Sequence, residues 1–165
     1  MSIYFDMNVY NRMFDDQTQL RIRFESMAID IICELIEMGQ YTLFWSFILE
    51  YENDKNPFIN RRDYIKSLSA LCVGNIEPNK AIKEIAKEII NNLNAKAKDA
   101  LHLACAIYKK CDYFITCDDK FIKTINKHSD NLSNILGKIK LLNPIDFLRM
   151  EVDINVIEWK NKIYW

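Results

Sequence analysis

Glycine and proline are scarce in this chain, with three of each among 165 residues. Flexible linkers and low-complexity segments are usually rich in these residues, so their scarcity favours a continuously folded protein. We also find no internal repeat. We therefore expect one compact domain with a single core, which a chain of this length is able to build.

The chain also lacks a long apolar run and an excess of charge of one sign. No apolar segment approaches the roughly 18 to 20 residues needed to span a bilayer, and the first residues do not form a secretory signal. We therefore expect a cytoplasmic protein without membrane contact. The formal net charge is −1, so the overall basic character of many nucleic-acid binders is missing. A nucleic-acid substrate stays open, because an acidic centre and a basic rim cancel in the sum.

No pair of cysteines shows the C-x-x-C spacing, and the number of cysteines is odd. This pattern argues against a disulfide framework and against a zinc knuckle. We expect reduced structural thiols at Cys33, Cys72, Cys105, Cys111 and Cys117.

Hydrophobic patterning predicts short strands that alternate with helices. Strands are expected in the apolar run before Asp6 and at residues 41–45, 112–116 and 138–142. Helices are expected at residues 17–38, 47–53, 60–73, 78–93, 98–110 and 118–127. In the first helix, the predicted apolar face consists of Leu20, Phe24, Met27, Ala28, Ile31, Ile32 and Leu35. The alternation indicates an α/β fold whose parallel sheet is covered on both faces.

Acidic residues follow two of the predicted strands and lie on the inner faces of two helices. Asp6 and Asp118 come directly after apolar runs, and ligands bind beyond the carboxyl ends of strands in open parallel sheets. Glu52 shares a helix face with Ile48 and Leu49, whereas Glu50 turns away and is the second choice. Asp99 begins the "DALHLACA" helix and can point towards the same strand ends.

Four converging carboxylates would repel one another unless protons or divalent cations are bound. Hard oxygen ligands of this kind suit Mg²⁺ or Mn²⁺. Each acid also has an ordinary interpretation. Asp118 or Asp119 can cap the helix that follows, Asp99 can favour a helix N-terminus, and Glu52 can pair with a surface arginine, Arg61 or Arg62.

The order of these pieces resembles the PIN-domain family of VapC-like metal-dependent ribonucleases. The matching segments are "IYFDMNVY", "SFILEYE", "KDALHLACA" and "YFITCDDKF", followed by "KIKLLNP". The resemblance implies a three-layer α/β/α domain, built on a central twisted parallel sheet of four to five strands, over residues 1–143. Residues 144–165 would form a C-terminal extension that packs on the domain or on a partner subunit.

Carried over to this chain, the resemblance implies a catalytic, metal-binding cluster of Asp6, Glu52, Asp99 and Asp118, with Asp119 as a fifth candidate ligand. Asn8, Ser46 and Thr116 would support these carboxylates. The implied activity is hydrolysis of RNA with Mg²⁺ or Mn²⁺ as cofactor. The candidate RNA contacts are Arg12, Arg61, Arg62, Lys120 and Lys123. Many members of the family are toxins that pair with an antitoxin protein and form homodimers, which gives two candidate partners.

Two other functions stay open at this point. Asp6 can be the phosphoryl-accepting nucleophile of a phosphotransferase, phosphatase or receiver-like domain, with Asp118 and Asp119 holding Mg²⁺. That hypothesis leaves Glu52 and Asp99 without a role. The chain can also be a non-catalytic RNA-binding module of the same fold. His102, one turn after Asp99, is expected to be a packed histidine.

Overall fold

The computed structural model describes residues 1–152 of the chain. Its strands are β1 (Ser2–Phe5), β2 (Thr42–Ser46), β3 (Cys72–Ile76), β4 (Tyr113–Ile115) and β5 (Lys140–Leu142). They form one parallel sheet in the order β3-β2-β1-β4-β5. Strands β2 and β3 therefore lie on one side of β1, and β4 and β5 lie on the other. The strand order reverses between β1 and β4, which is where open parallel sheets bind ligands.

Helices flank this sheet and connect its strands. They are α1 (Met7–Asn11), α2 (Leu20–Glu37), α3 (Phe47–Asp54), α4 (Ile59–Leu68), α5 (Lys80–Leu93), α6 (Ala97–Tyr108), α7 (Asp119–Lys127), α8 (Ser133–Leu136) and α9 (Pro144–Glu151). The predicted α/β class is confirmed. Within residues 1–152, no helix is both long enough and apolar enough to cross a membrane.

The core lies on both faces of the central strands. Ile3, Tyr4 and Phe5 of β1 are at most 1% exposed, and all of β4 is buried. Such strands read as continuous apolar runs rather than as alternating ones, which is why the sequence predicts them well. The Tyr4 ring stacks on Phe114 of the neighbouring strand, with centroids 5.7 Å apart.

The edge strand β3 differs from the prediction, which placed a helix over residues 60–73. The helix ends at Leu68, and Cys72–Ile76 pairs with β2 instead. Val73 is exposed, and Gly74 contributes no side chain to the core. An edge strand with one neighbour buries little, so it lacks the apolar run that marks the central strands.

Helix α2 differs from the prediction in the face that it buries. Leu20, Phe24 and Met27 are more than half exposed. Ala28, Ile32 and Leu35 are buried as predicted, and they are joined by Glu25 and Ile36. The apolar residues of α2 are therefore spread over more than one face, and its buried face includes a carboxylate.

Helix α9 packs on α2 and begins the predicted C-terminal extension. Phe147 is fully buried, and its ring lies 5.3 Å from Tyr41 and 5.0 Å from Tyr113, measured between centroids. The rest of the extension, residues 153–165, lies outside the described residues. It includes Trp159, Tyr164 and Trp165.

All five cysteines are free thiols. Burial raises the pKa of each thiol to about 12. Because the thiolate is the reactive form, these cysteines are structural groups.

Candidate active site

Asp6 follows the central strand directly and caps α1. Its Oδ1 accepts a 2.7 Å hydrogen bond from the Met7 backbone N–H. Its Oδ2 accepts hydrogen bonds from the Asn8 amide at 2.9 Å and from the Thr116 hydroxyl at 2.8 Å. Burial raises the pKa of Asp6, although His102 and the Thr116 hydrogen bond lower it in part. Three uncharged donors therefore hold a buried carboxylate.

Asn8 and Thr116 join the ends of two neighbouring strands. The Asn8 amide donates to the Thr116 hydroxyl at 2.9 Å, and the Asn8 carbonyl accepts from the Cys117 backbone N–H at 2.9 Å. Thr116 directly follows β4, which pairs with β1 in register. Both residues, predicted as supporting groups, thus contact Asp6.

Glu52 lies on α3, which is capped by Ser46. Its Oε2 is 2.5 Å from the His102 Nε2, and its Oε1 is 3.4 Å from the Lys98 ammonium. Burial raises the pKa of Glu52. The hydrogen bond and charge of His102, together with the charge of Lys98, bring that pKa below its ordinary value.

Glu50, the competing candidate on the same helix, faces another part of the molecule. One oxygen accepts a hydrogen bond from the Trp45 indole at 2.7 Å, and the carboxylate pairs with Lys66. The structure thus separates the two glutamates, with Glu52 beside His102 and Glu50 beside Lys66.

Asp99 lies in the first turn of α6 and faces the end of the central strand. Burial raises its pKa, and the charges of Asp6 and Asp118 raise it further. The cleft in front of these acids has a volume of about 340 Å³. It is lined by Asp6, Met7, Asn8, Asn11, Asp15, Glu52, Asp99 and His102. Three of the four predicted carboxylates therefore share one cleft, together with Asp15, which the sequence did not single out.

Asp118 and Asp119 line an adjoining cleft on the other side of Asn8. Asp118 caps α7, because its Oδ1 accepts a 3.0 Å hydrogen bond from the Phe121 backbone N–H. Asp119 forms a salt bridge with Arg21. Asp118 is thus near enough to act on Asp99 electrostatically, whereas the structure directs Asp119 towards Arg21.

His102 is a site residue that sequence reasoning set aside. It is 1% exposed, and its Nδ1 lies 2.8 Å from the Tyr4 hydroxyl. Its Nε2 contacts Glu52 at 2.5 Å and lies 3.8 Å from Asp6 Oδ1. The histidine is packed, as expected, but one of its partners is a candidate ligand. The available signal was its position one helical turn after Asp99.

Two of the five predicted RNA-contacting cations, Arg12 and Arg61, have their charged groups engaged within the protein. Arg12 pairs with Asp15 and Glu25. The Arg61 guanidinium lies over the rings of Phe14 and Phe58, at 5.1 and 4.7 Å from their centroids. Arg62 is half-buried, and its backbone carbonyl accepts a hydrogen bond from Asn53. Lys120 and Lys123 are exposed on α7. Lys98, which was not predicted, is the cation that contacts Glu52.

The oxygen donors of the cleft are chemically suited to a hard divalent cation. Asp6 and Asp99 have raised pKa values, mainly because both are buried and to a smaller extent because other carboxylates are near, and a bound cation would relieve both effects. Across residues 1–152, no three or more His, Cys, Asp or Glu side chains stand in a ready arrangement to hold a metal ion. The carboxylate oxygens of the cleft therefore suit a divalent cation by their chemistry. One oxygen of Glu52 is already hydrogen-bonded to His102.

Comparisons with known proteins agree with this architecture. The family model of the PIN domain matches residues 3–127. No curated protein sequence matches the chain. Among solved structures, the chain is similar to one in the crystal structure of VapBC2 from Rickettsia felis bound to a promoter DNA fragment. The two share 14% sequence identity with a TM-score of 0.54, and the match covers 87% of this chain and 98% of the other.

Proposed function

The chain belongs to the PIN domain family, and on that premise we propose that it is an endoribonuclease that depends on Mg²⁺ or Mn²⁺. The observation that supports this proposal best is the cleft beyond the central strand, which Asp6, Glu52 and Asp99 line together. Asp118 adds its charge from the adjoining cleft. Carboxylates with perturbed pKa values that share one cleft mark a candidate active site, and here the pKa is raised at Asp6 and Asp99 and lowered at Glu52.

In this proposal Asp6, Glu52 and Asp99 hold the cation, with Asp118 as a fourth ligand and Asp119 as a more distant candidate. A bound divalent ion would activate water and stabilise charge on the oxygens of the phosphodiester. The residues of the chain prepare the site. Asn8 and Thr116 fix the Asp6 carboxylate, His102 fixes one oxygen of Glu52, and Ser46 caps the helix that carries Glu52.

We propose RNA as the substrate because an unpaired strand is able to enter a recessed cleft. The exposed ammonium of Lys98 stands at Glu52 and can contact a phosphate. Lys120 and Lys123 follow Asp118 on α7 and are exposed as well. Arg12 and Arg61 are weaker candidates, since each already has partners within the protein.

The likeness to VapBC2 leads us to propose a toxin–antitoxin role, in which a second protein restrains this nuclease. Association of two copies of the chain is a further proposal. Size-exclusion chromatography with light scattering on the chain, alone and co-expressed with the protein encoded beside it, would test both. A monomer in both samples would contradict them.

The function itself is tested by incubating a labelled single-stranded RNA with wild type, Asp6→Asn, Asp99→Asn and Glu50→Gln. Cleavage in Mg²⁺ or Mn²⁺ is expected from wild type and from Glu50→Gln, the matched control outside the cleft. The two aspartate variants should cleave at least about 10²-fold more slowly, and wild type in excess EDTA should be inactive. Equal activity of wild type, Asp6→Asn and Asp99→Asn would refute the site, and cleavage in excess EDTA would refute the metal.

The same samples separate the two other functions. A phosphotransferase would form an acid-stable phosphoenzyme on Asp6, although three hydrogen bonds already occupy that carboxylate. A non-catalytic module would bind RNA without cleaving it in Mn²⁺. Either result would replace the proposed activity.

A further inference from the structure

A chain of hydrogen bonds runs from the N-cap of helix α3 to a residue within the same helix. Ser46 caps this helix by accepting a hydrogen bond from the Leu49 backbone N–H, and its hydroxyl lies 2.7 Å from the Tyr4 hydroxyl. The Tyr4 hydroxyl lies 2.8 Å from His102 Nδ1, and His102 Nε2 lies 2.5 Å from Glu52, again on α3. The chain therefore links the N-terminus of the helix to its candidate ligand.

This hydrogen-bonded chain connects the three elements that carry the acids of the cleft. Tyr4 lies on β1, two residues before Asp6, and His102 follows Asp99 by three residues on α6. Of the two ends, Ser46 is the N-cap of α3 and Glu52 lies on α3 itself. Tyr4, Ser46 and His102 are at most 1% exposed. The bonds among these three residues are therefore shielded from solvent, which strengthens them and keeps their partners fixed.

The hydrogen bond between His102 and Glu52 can have only one direction, with the histidine as donor. An ionised carboxylate accepts hydrogen bonds and donates none, so the proton in this contact belongs to Nε2. Nδ1 is then held from the opposite side by the Tyr4 hydroxyl. The ring is thus fixed at both nitrogens, and it directs an N–H donor at Glu52 and towards Asp6 Oδ1, 3.8 Å away.

We propose that His102 is a positioning residue, held by Tyr4 and Ser46, whose Nε2–H keeps the Glu52 carboxylate turned into the cleft for cation binding. The assignment rests on the proposed metal-dependent function. Repulsion from Asp6 would otherwise favour Glu52 rotating outwards into solvent. Partners that orient metal-binding side chains in this way commonly contribute about 10- to 100-fold to metal affinity or activity.

The first experiment measures the affinity of the full chain for Mn²⁺ alone by isothermal titration calorimetry. His102→Asn is too short to reach Glu52, so its affinity should fall about tenfold. His102→Gln places an amide N–H near the position of Nε2 and should restore most of that loss. Thermal unfolding of both variants reports on a merely structural role. The proposal fails if folded His102→Asn binds Mn²⁺ as tightly as wild type, or if His102→Gln loses as much affinity as His102→Asn.

Two tyrosines provide a matched pair. Tyr4→Phe removes a buried hydroxyl from the chain of hydrogen bonds, whereas Tyr10→Phe removes a buried hydroxyl that is not part of it. Tyr4→Phe should weaken Mn²⁺ binding by about threefold, as expected for one hydrogen bond, and Tyr10→Phe should not change it. An equal effect of the two would contradict the role given to Tyr4.

A spectroscopic measurement does not depend on any buried variant. The chain has two histidines, so nitrogen-15 spectra of histidine-labelled protein are simple, and His128→Gln assigns the signals of His102. We expect a protonated Nε2 in the metal-free protein. An unprotonated Nε2 would overturn the proposal.

The calorimetry also separates this proposal from the function on which it rests. If wild type and Asp99→Asn bind Mn²⁺ equally, the metal site is wrong and the assignment of His102 falls with it. If Asp99→Asn loses Mn²⁺ binding while His102→Asn keeps it, the metal site stands and only the role of His102 is wrong.

Discussion

Two buried carboxylates in this protein are stabilised in opposite ways. Glu25 on α2 is fully buried. Its Oε2 lies 2.9 Å from Arg12 Nε, an ion pair outside hydrogen-bond geometry, and its Oε1 lies 3.1 Å from Arg21 Nε and accepts a 2.6 Å hydrogen bond from Asn143. Two arginines of the chain therefore offset the charge of Glu25, which makes it a structural acid.

Asp6 is nearly as buried, but its three hydrogen-bond donors are uncharged: a backbone N–H, an amide and a hydroxyl. The histidine nearby approaches only to 3.8 Å. Such donors orient a carboxylate and satisfy its lone pairs, yet they leave its negative charge largely uncompensated, and its pKa is raised. The difference is consistent with the proposed roles, in which Glu25 serves stability and Asp6 binds a cation.

The comparison predicts the largest loss of activity for Asp6→Asn. Cleavage of RNA should fall about 10²- to 10³-fold, because a ligand that stabilises charge during the reaction is lost. The free energy of unfolding should change by only about 1 kcal/mol, because two effects of the substitution oppose each other. Removing the buried charge is favourable, but the N–H₂ group of the new side chain would face the Asn8 donor, which loses its acceptor. Activity assays and urea unfolding of the metal-free protein measure the two effects. If Asp6→Asn failed to fold, Asp6 would be a structural acid like Glu25.

Glu25→Gln should show the opposite pattern. The substitution leaves Arg12 without its buried partner, and we expect a loss of about 3 kcal/mol in the free energy of unfolding. Cleavage per folded molecule should stay near that of wild type. Urea unfolding against Glu84→Gln, which breaks an exposed pair with Lys87, provides the control, with an expected change of about 0.3 kcal/mol. A stable but inactive Glu25→Gln would contradict the contrast.

The predictable parts of the molecule are those that local sequence encodes. Asp6 and Asp118 were identified because each ends a continuous apolar run, and such runs belong to central strands buried on both faces. Glu52 was preferred over Glu50 from helical spacing, and the structure places the two on different sides. The edge strand Cys72–Ile76 was missed because an exposed strand has no comparable pattern.

The partners of buried polar groups were not predictable from the sequence. Helical spacing shows which side of a helix a residue occupies, but it does not show which residue of another element packs against that side. Glu25 shares its face with Ala28 and Ile32, but its partner Asn143 lies 118 residues away. His102 and Glu52 are 50 residues apart. Only the assembled sheet and helices bring such pairs together.

A smaller effect is expected for Asp99, whose contribution to the free energy of unfolding should change with pH in a defined direction. Its pKa is raised in the folded protein, so the ionised form is penalised by folding. Stability of metal-free wild type relative to Asp99→Asn should therefore be highest in acid and fall as pH rises from the unfolded to the folded pKa. Urea unfolding in EDTA at several pH values measures this. Adding Mn²⁺ at neutral pH should stabilise wild type selectively. A difference that is constant with pH would contradict the raised pKa.

The smallest effect is expected for Glu50→Gln, which tests the contrast within one helix. Glu50 pairs with exposed Lys66, and losing this pair should cost less than about 1 kcal/mol and leave cleavage unchanged. Glu52→Gln, two residues further along, should reduce cleavage by about 10²-fold with a similarly small change in stability. Paired assays of the two variants thus ask whether the side of α3 that a glutamate occupies decides its role. Equal activities would mean that it does not, and the cleft would lose its third carboxylate.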